Sequence, residues 1–169
     1  MTQRQSGEPF PIDPGAPRHA PARGLPAHRY LPGENDRPPD AGHALAAPIV
    51  WERLFEVELY RFGVDLYNGA YFWEAHEAWE TLWQACPEGP VREGLQGLIQ
   101  LAAALLKEHQ GVVSGATRLA RSALAKLERA PEGTFGFSAS QLIAKARAHF
   151  RPLEEPGSPR VSPPGIRLG

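Results

Sequence analysis

Between Trp51 and Phe150, apolar residues recur at the three-to-four-residue spacing of helices packed by one face. Leu54, Val57, Phe62 and Leu66 predict a first helix over Trp51–Tyr67. Asn68-Gly69 predicts a stop and restart, with glycine left-handed and asparagine as cap. A second helix is expected over Ala70–Ala85, and Pro87-Glu88-Gly89-Pro90 is a firm break. The third helix, Val91–His109, carries Leu95, Leu98, Ile99, Ala102 and Leu106 as its inward stripe and ends at Gly111. Ser114 is placed to cap a fourth helix from about Gly115 to Arg129, with Ala116, Leu119, Ala123 and Leu127 inward. Pro131 and Gly133 break the pattern again. Ser138 followed by Gln141 then opens a short fifth helix carrying Leu142, Ile143 and Phe150. No segment reads convincingly as a strand. Short connections make consecutive helices antiparallel neighbours. The expected fold class is therefore all-α, a small antiparallel up-and-down helical bundle of about five helices.

Proline divides the chain. Residues 1–48 hold 10 of the 18 prolines and residues 151–169 hold 5 more, leaving Pro87, Pro90 and Pro131 between them. Proline removes a backbone donor and fixes φ, so both flanks lack the composition of helices or core strands. The expected organisation is a Pro-rich, partly disordered arm over 1–48, a helical bundle over 49–151 and a disordered tail over 152–169. Arg29-Tyr30-Leu31-Pro32-Gly33 is the least linker-like part of the arm and is expected to lie as a strap on the core; a disordered leader is the alternative for 1–28. The arm carries five basic and five acidic residues, and the whole chain has a formal net charge of -1. That balance gives no reason to expect nucleic acid or an acidic membrane surface as partner. One cysteine, Cys86, leaves no intramolecular disulfide. No apolar stretch follows Met1 as a secretory leader requires, and no run is long enough to span a membrane. The expected setting is cytoplasmic.

The segment Asn68–Trp83 concentrates the chemistry. It holds His76, the glutamates Glu74, Glu77 and Glu80, and the tryptophans Trp73, Trp79 and Trp83. Each helical residue advances by about 100°. His76, Glu80 and Trp83 therefore share one stripe, with Phe72 and Trp73 beside it and Trp79 extending it on the other side. His76 and Glu80, at i and i+4, converge on one point. An imidazole and a carboxylate together suit a divalent ion, the expected cofactor, but two ligands do not complete a site. Glu77 is turned about 100° away from His76 and is expected to face a different neighbour. Gln96, Gln100 and Lys107 on the polar shoulder of the third helix, and Asp65 late in the first, are the candidates for further donors or pocket walls. Three uses of the pair stay open: a metal or small-ligand site, with hydrolysis as an extension; a catalytic acid–base pair; or a core histidine hydrogen-bonded to its carboxylate. The tryptophans are expected mainly in the core, and Lys107 as a surface side chain lying along its stem, with counter-charge to Glu80 as its alternative.

A second pattern overlaps the first. Gly63, Leu66, Phe72, Ala75, Trp79 and Pro87 match the small and aromatic positions of a tetratricopeptide helix hairpin. One such unit without stacked neighbours cannot bury its face, so a similar hairpin packing is expected rather than an array. This supports the alternative function, a non-enzymatic helical interaction module. The expected partner is accordingly a small ligand or another protein.

The run from Gly63 to Trp83, GVDLYNGAYFWEAHEAWETLW, resembles the signature of the prokaryotic family called domain of unknown function 309. That family is marked by a histidine, a glutamate four residues on and an aromatic three further, here His76, Glu80 and Trp83. Gly94–Lys107 and Gly115-Ala116 are similar to later parts of the family, and Arg29–Gly33 resembles the arm of its longer members. The resemblance covers about residues 29–150. It implies an all-helical bundle and a metal-binding role for the histidine–glutamate motif, and no established reaction. Some members carry a histidine and an asparagine near the end of the third helix and the following turn; this chain has Lys107 and Val112 there.

Overall fold

The computed structural model describes residues 9–39, 42–45 and 47–169. Expectations that touch residues 1–8, 40, 41 and 46 lie outside the described residues. Among those described there is no strand. A 3-10 turn over Trp51–Glu56 precedes five helices: α1 (Glu58–Asn68), α2 (Phe72–Ala85), α3 (Pro90–His109), α4 (Val113–Leu127) and α5 (Ala139–Glu154). Each helix packs on the one before it in the chain, giving the all-helical bundle. No helix among the described residues is long and apolar enough to cross a membrane.

The first helix is shorter than its apolar spacing predicts. Phe55 N–H bonds to the Thr134 carbonyl at 3.1 Å rather than to a carbonyl one turn back. Val57 is extended, so Trp51–Glu56 remains a separate turn. The 69–71 turn also differs from expectation. Gly69 has φ -78°, and Ala70 is the left-handed residue, at φ 62°. Tyr71 N–H reaches the Leu66 carbonyl at 2.8 Å and Ala70 N–H the Tyr67 carbonyl at 3.0 Å. These two bonds form a Schellman close with alanine in the place glycine usually takes. A left-handed non-glycine residue costs about 1–2 kcal/mol, offset here by the paired carbonyls and by burial of Ala70. Ser114 lies inside α4, whose first residue is Val113 and whose N-terminus has no side-chain cap. Ser138 does cap α5, accepting from Gln141 N–H at 3.4 Å. Far from short, that helix runs to Glu154, with Pro152 inside its last turn.

The core centres on α1, α2 and α3. Trp79, Tyr60, Tyr67, Leu66, Leu95 and Leu98 are all sealed from solvent. Gly63 lies directly against the Trp79 indole: a Cβ there would come within 2.2 Å of Nε1. The small residue lets α1 and α2 approach, and Trp79 N–H donates to the Tyr60 carbonyl at 3.2 Å.

Both flanking segments are laid on this core. Asp65, at the buried end of the arm's contacts, accepts from Arg18 Nε at 2.9 Å, His19 N–H at 2.7 Å and Ala20 N–H at 2.8 Å. Leu31 is buried, and Tyr30 stands edge-on to Trp73 at 5.1 Å. Beyond α5 the chain returns to the end of α1. Tyr67 donates its hydroxyl to the Pro164 carbonyl at 2.7 Å. Asn68 pairs both ends of its amide with the Ile166 backbone, at 2.6 and 2.9 Å, and its own carbonyl accepts from Ile12 N–H at 2.7 Å. Thus 164–166, expected within a disordered tail, is docked, because its backbone partners the buried Tyr67 hydroxyl and Asn68 side-chain amide.

Candidate metal centre

Helix α2 presents its site by simple periodicity. Phe72, Ala75, Ala78, Trp79 and Leu82 turn inward, so the positions between them come to the rim. His76 and Glu80, one turn apart on that rim, bring Nε2 and Oε2 to 3.7 Å. Glu77, expected to face another neighbour, joins them: its Oε1 lies 3.5 Å from His76 Nδ1. Adjacent side chains on a helix diverge by about 100° at Cα, but the length of the glutamate lets it curl back. His76, Glu77 and Glu80 each offer a ligand atom within 4.8 Å of the others.

The pair is neither sealed nor fully solvated. Side-chain exposure is 26% for His76, 33% for Glu77 and 38% for Glu80. The imidazole leans on Trp73, ring centroids 5.6 Å apart and planes 31° from parallel. Its Nδ1 is shielded from solvent and makes no hydrogen bond. Arg37 of the arm comes over Trp73 at 5.4 Å and reaches Glu77 Oε2 at 3.6 Å. Glu77 and Glu80 also line an open groove of about 890 Å³, with Arg37, Phe62, Trp73 and Glu74 among its walls.

A divalent ion fits the donor set. Metal–nitrogen and metal–oxygen bonds of about 2.0–2.2 Å place two ligand atoms of a tetrahedral ion about 3.5 Å apart. The Nε2–Oε2 separation of His76 and Glu80, 3.7 Å, is close to that value, whereas the 3.5 Å contact of Glu77 is to the other ring nitrogen, Nδ1, which does not share an ion with Nε2. One ligand atom from each of the three residues lies within 4.8 Å of the others, so closing on one ion draws the glutamate side chains inward. Nδ1 lacks the hydrogen bond that would make His76 a satisfied core residue.

The other sequence candidates are placed elsewhere in the chemistry. Asp65 is spent on Arg18, His19 and Ala20. Trp79 and Phe72 are core, the latter edge-on to Tyr67 at 6.0 Å. Trp83 is half-buried beneath the Arg92 guanidinium at 4.3 Å. Lys107 is exposed, its stem beside Gly115, and makes no ion pair with Glu80 among the described residues. Gln96 and Gln100 are half-buried on α3; the Gln100 side-chain oxygen is sealed without a partner.

Two features escaped the sequence pattern. Glu74 is buried, accepts from Tyr30 N–H at 2.8 Å through Oε1 and leaves Oε2 unpaired. Burial raises its pKa, opposed by the Tyr30 N–H and by the charges of His28 and Arg29. Glu74 stood in plain view beside the motif, but its partner lies 44 residues away. The second is His149, whose Nε2 meets Glu108 Oε2 at 2.6 Å and whose Nδ1 meets the Val161 carbonyl at 2.8 Å. No local spacing announces that pair.

Residues 60–119, from α1 into α4, match the family model described as Domain of unknown function (DUF309). No curated protein and no solved structure matches the chain.

Proposed function

We propose that this DUF309-family chain binds a divalent metal ion through His76 and Glu80, with Glu77 as a third donor or as the group that orients the imidazole. The convergence of three donor side chains, two of which, Glu77 and Glu80, line an open groove, carries this reading. Trp73 restrains the ring of His76, whose Nε2 faces Glu80 while Glu77 stands 3.5 Å from Nδ1, close enough to take up its proton in a hydrogen bond once an ion holds Nε2. Arg37 offsets the charge of Glu77 from its far side. Two or three protein donors leave positions open for water or a ligand. A bound ion would polarise such a ligand or acidify such a water, which is the basis for a hydrolytic role. The test is metal analysis of protein purified without a histidine tag. Wild type should hold about one ion per chain and His76→Ala none. Absence of metal from wild type, together with a melting temperature that no divalent ion moves, would remove the proposal.

A helical interaction module is the second reading, supported by the tetratricopeptide-like approach of Gly63 to Trp79. It makes His76–Glu80 structural, so His76→Ala should chiefly lower stability. The half-exposed, unbonded pair lends this reading less support.

A further inference from the structure

The N-terminal arm and the His76 centre share two side chains, Trp73 and Glu77. Residues 29–35 of the arm close on themselves: Asn35 accepts from Leu31 N–H and donates to the Arg29 carbonyl, both at 2.8 Å. This loop is fastened to α1 by Arg29 Nε on the Gly69 carbonyl at 2.8 Å, and to α3 by Gln110 Nε2 on the Pro32 carbonyl at 3.0 Å. From that base Tyr30 and Arg37 both reach Trp73, the first edge-on at 5.1 Å and the second over the ring at 5.4 Å. Trp73 in turn leans on His76. Glu77 is held from two sides: its Oε2 lies 3.6 Å from Arg37 and its Oε1 3.5 Å from His76 Nδ1. The groove beside the centre is lined by Leu25, Pro26 and Pro38 of the arm as well as by Phe62 and Glu80 of the helices. Because Arg37 is paired with Glu77 and open to solvent, little of its charge opposes an ion at Nε2. Its grip on Glu77 and Trp73, by contrast, bears directly on the imidazole.

We infer that Arg37 is a positioning residue for the metal centre, and that arm docking and metal binding strengthen each other through Trp73 and Glu77. This rests on the metal-binding reading above and adds a means of regulating it. Such coupling is reciprocal: if the docked arm tightens the metal, the metal tightens the arm. Zinc affinity is measured by competition with a chelating dye for wild type, Arg37→Met and Arg37→Lys. Tryptic cleavage between Arg29 and Tyr30 is followed with and without zinc. Docking protects that peptide bond, since its N–H donates to Glu74 and its carbonyl accepts from Asn35. Arg37→Met should weaken zinc at least about fivefold, although it removes a positive charge. Arg37→Lys keeps the ion pair and should recover part of the loss. The Arg37 side chain is 56% exposed, so the urea midpoint should hold in both variants. Zinc should slow the cut in wild type and leave it unchanged in His76→Ala. Zinc bound by Arg37→Met as tightly as by wild type, or a wild-type cut that zinc does not slow, would overturn the inference and leave the metal site standing. Wild type that binds no zinc would remove both.

Discussion

The molecule holds two histidine–carboxylate pairs, and they are built in opposite ways. His149 and Glu108 join α5 to α3 at 2.6 Å, with the second ring nitrogen also engaged and the histidine buried. His76 and Glu80 share one helix, stand 3.7 Å apart and are 26% and 38% open. The first pair has used its bonding capacity to fasten two helices and the segment that follows them. The second keeps donors in reserve. Similar residue types thus serve as a rivet in one place and as a candidate ligand set in the other, and satisfaction of the ring nitrogens tells them apart.

The sharpest test of that contrast is truncation. Glu108→Leu leaves the buried His149 without its acceptor and should cost about 3 kcal/mol, whereas Glu80→Ala should cost less than about 1 kcal/mol. Urea unfolding measures both, and equal losses would erase the distinction. Metal comes next. An ion at 100 times its dissociation constant should stabilise wild type by about 2.7 kcal/mol. Glu108→Leu should keep that gain and His76→Ala should lose it, in a comparison of melting temperatures with and without zinc.

pH gives a gentler separation. Burial pulls the His149 pKa down, but the Glu108 hydrogen bond and charge, with the Val161 carbonyl, outweigh it, so the value stands above the ordinary one. A raised folded pKa adds stability that is complete below the unfolded value and disappears as pH rises through the folded value. Stability should therefore decline from near pH 6.5 upward. Glu108→Gln should flatten that slope, and His76→Ala should keep it. The smallest effect belongs to Glu77→Gln, expected to change stability by under about 0.5 kcal/mol while weakening metal about tenfold through loss of the orienting carboxylate. A large fall in the urea midpoint would instead make Glu77 structural.

How much of this the sequence discloses follows from how far each interaction reaches. The i, i+4 meeting of His76 and Glu80 is local, so periodicity finds it, as it finds the inward stripe of α3. The break before Glu58 depends on Phe55 meeting Thr134, and the loss of Asp65 as a ligand depends on Arg18. Neither partner is visible in a helical window. Glu108 and His149 are 41 residues apart, with no motif to connect them. The left-handed Ala70 in place of Gly69 shows a subtler limit: two neighbouring small residues each suit the turn, and the bonds to Leu66 and Tyr67 decide which one takes it.

Asn68 carries a further consequence. One residue grips Ile12 on its backbone and Ile166 on its side chain, while Asp13 and Arg167 pair alongside at 2.6 Å. The stretches before and after the bundle are thus knotted to each other as well as to the helices, like a belt closed by a buckle at the α1–α2 corner. An excised piece spanning only 60–119 would leave the Tyr67 hydroxyl, the Asn68 amide and the Asp65 carboxylate stripped of every mate described for them. The part that carries the family likeness is therefore narrower than the part that must be kept for the helices to hold their shape.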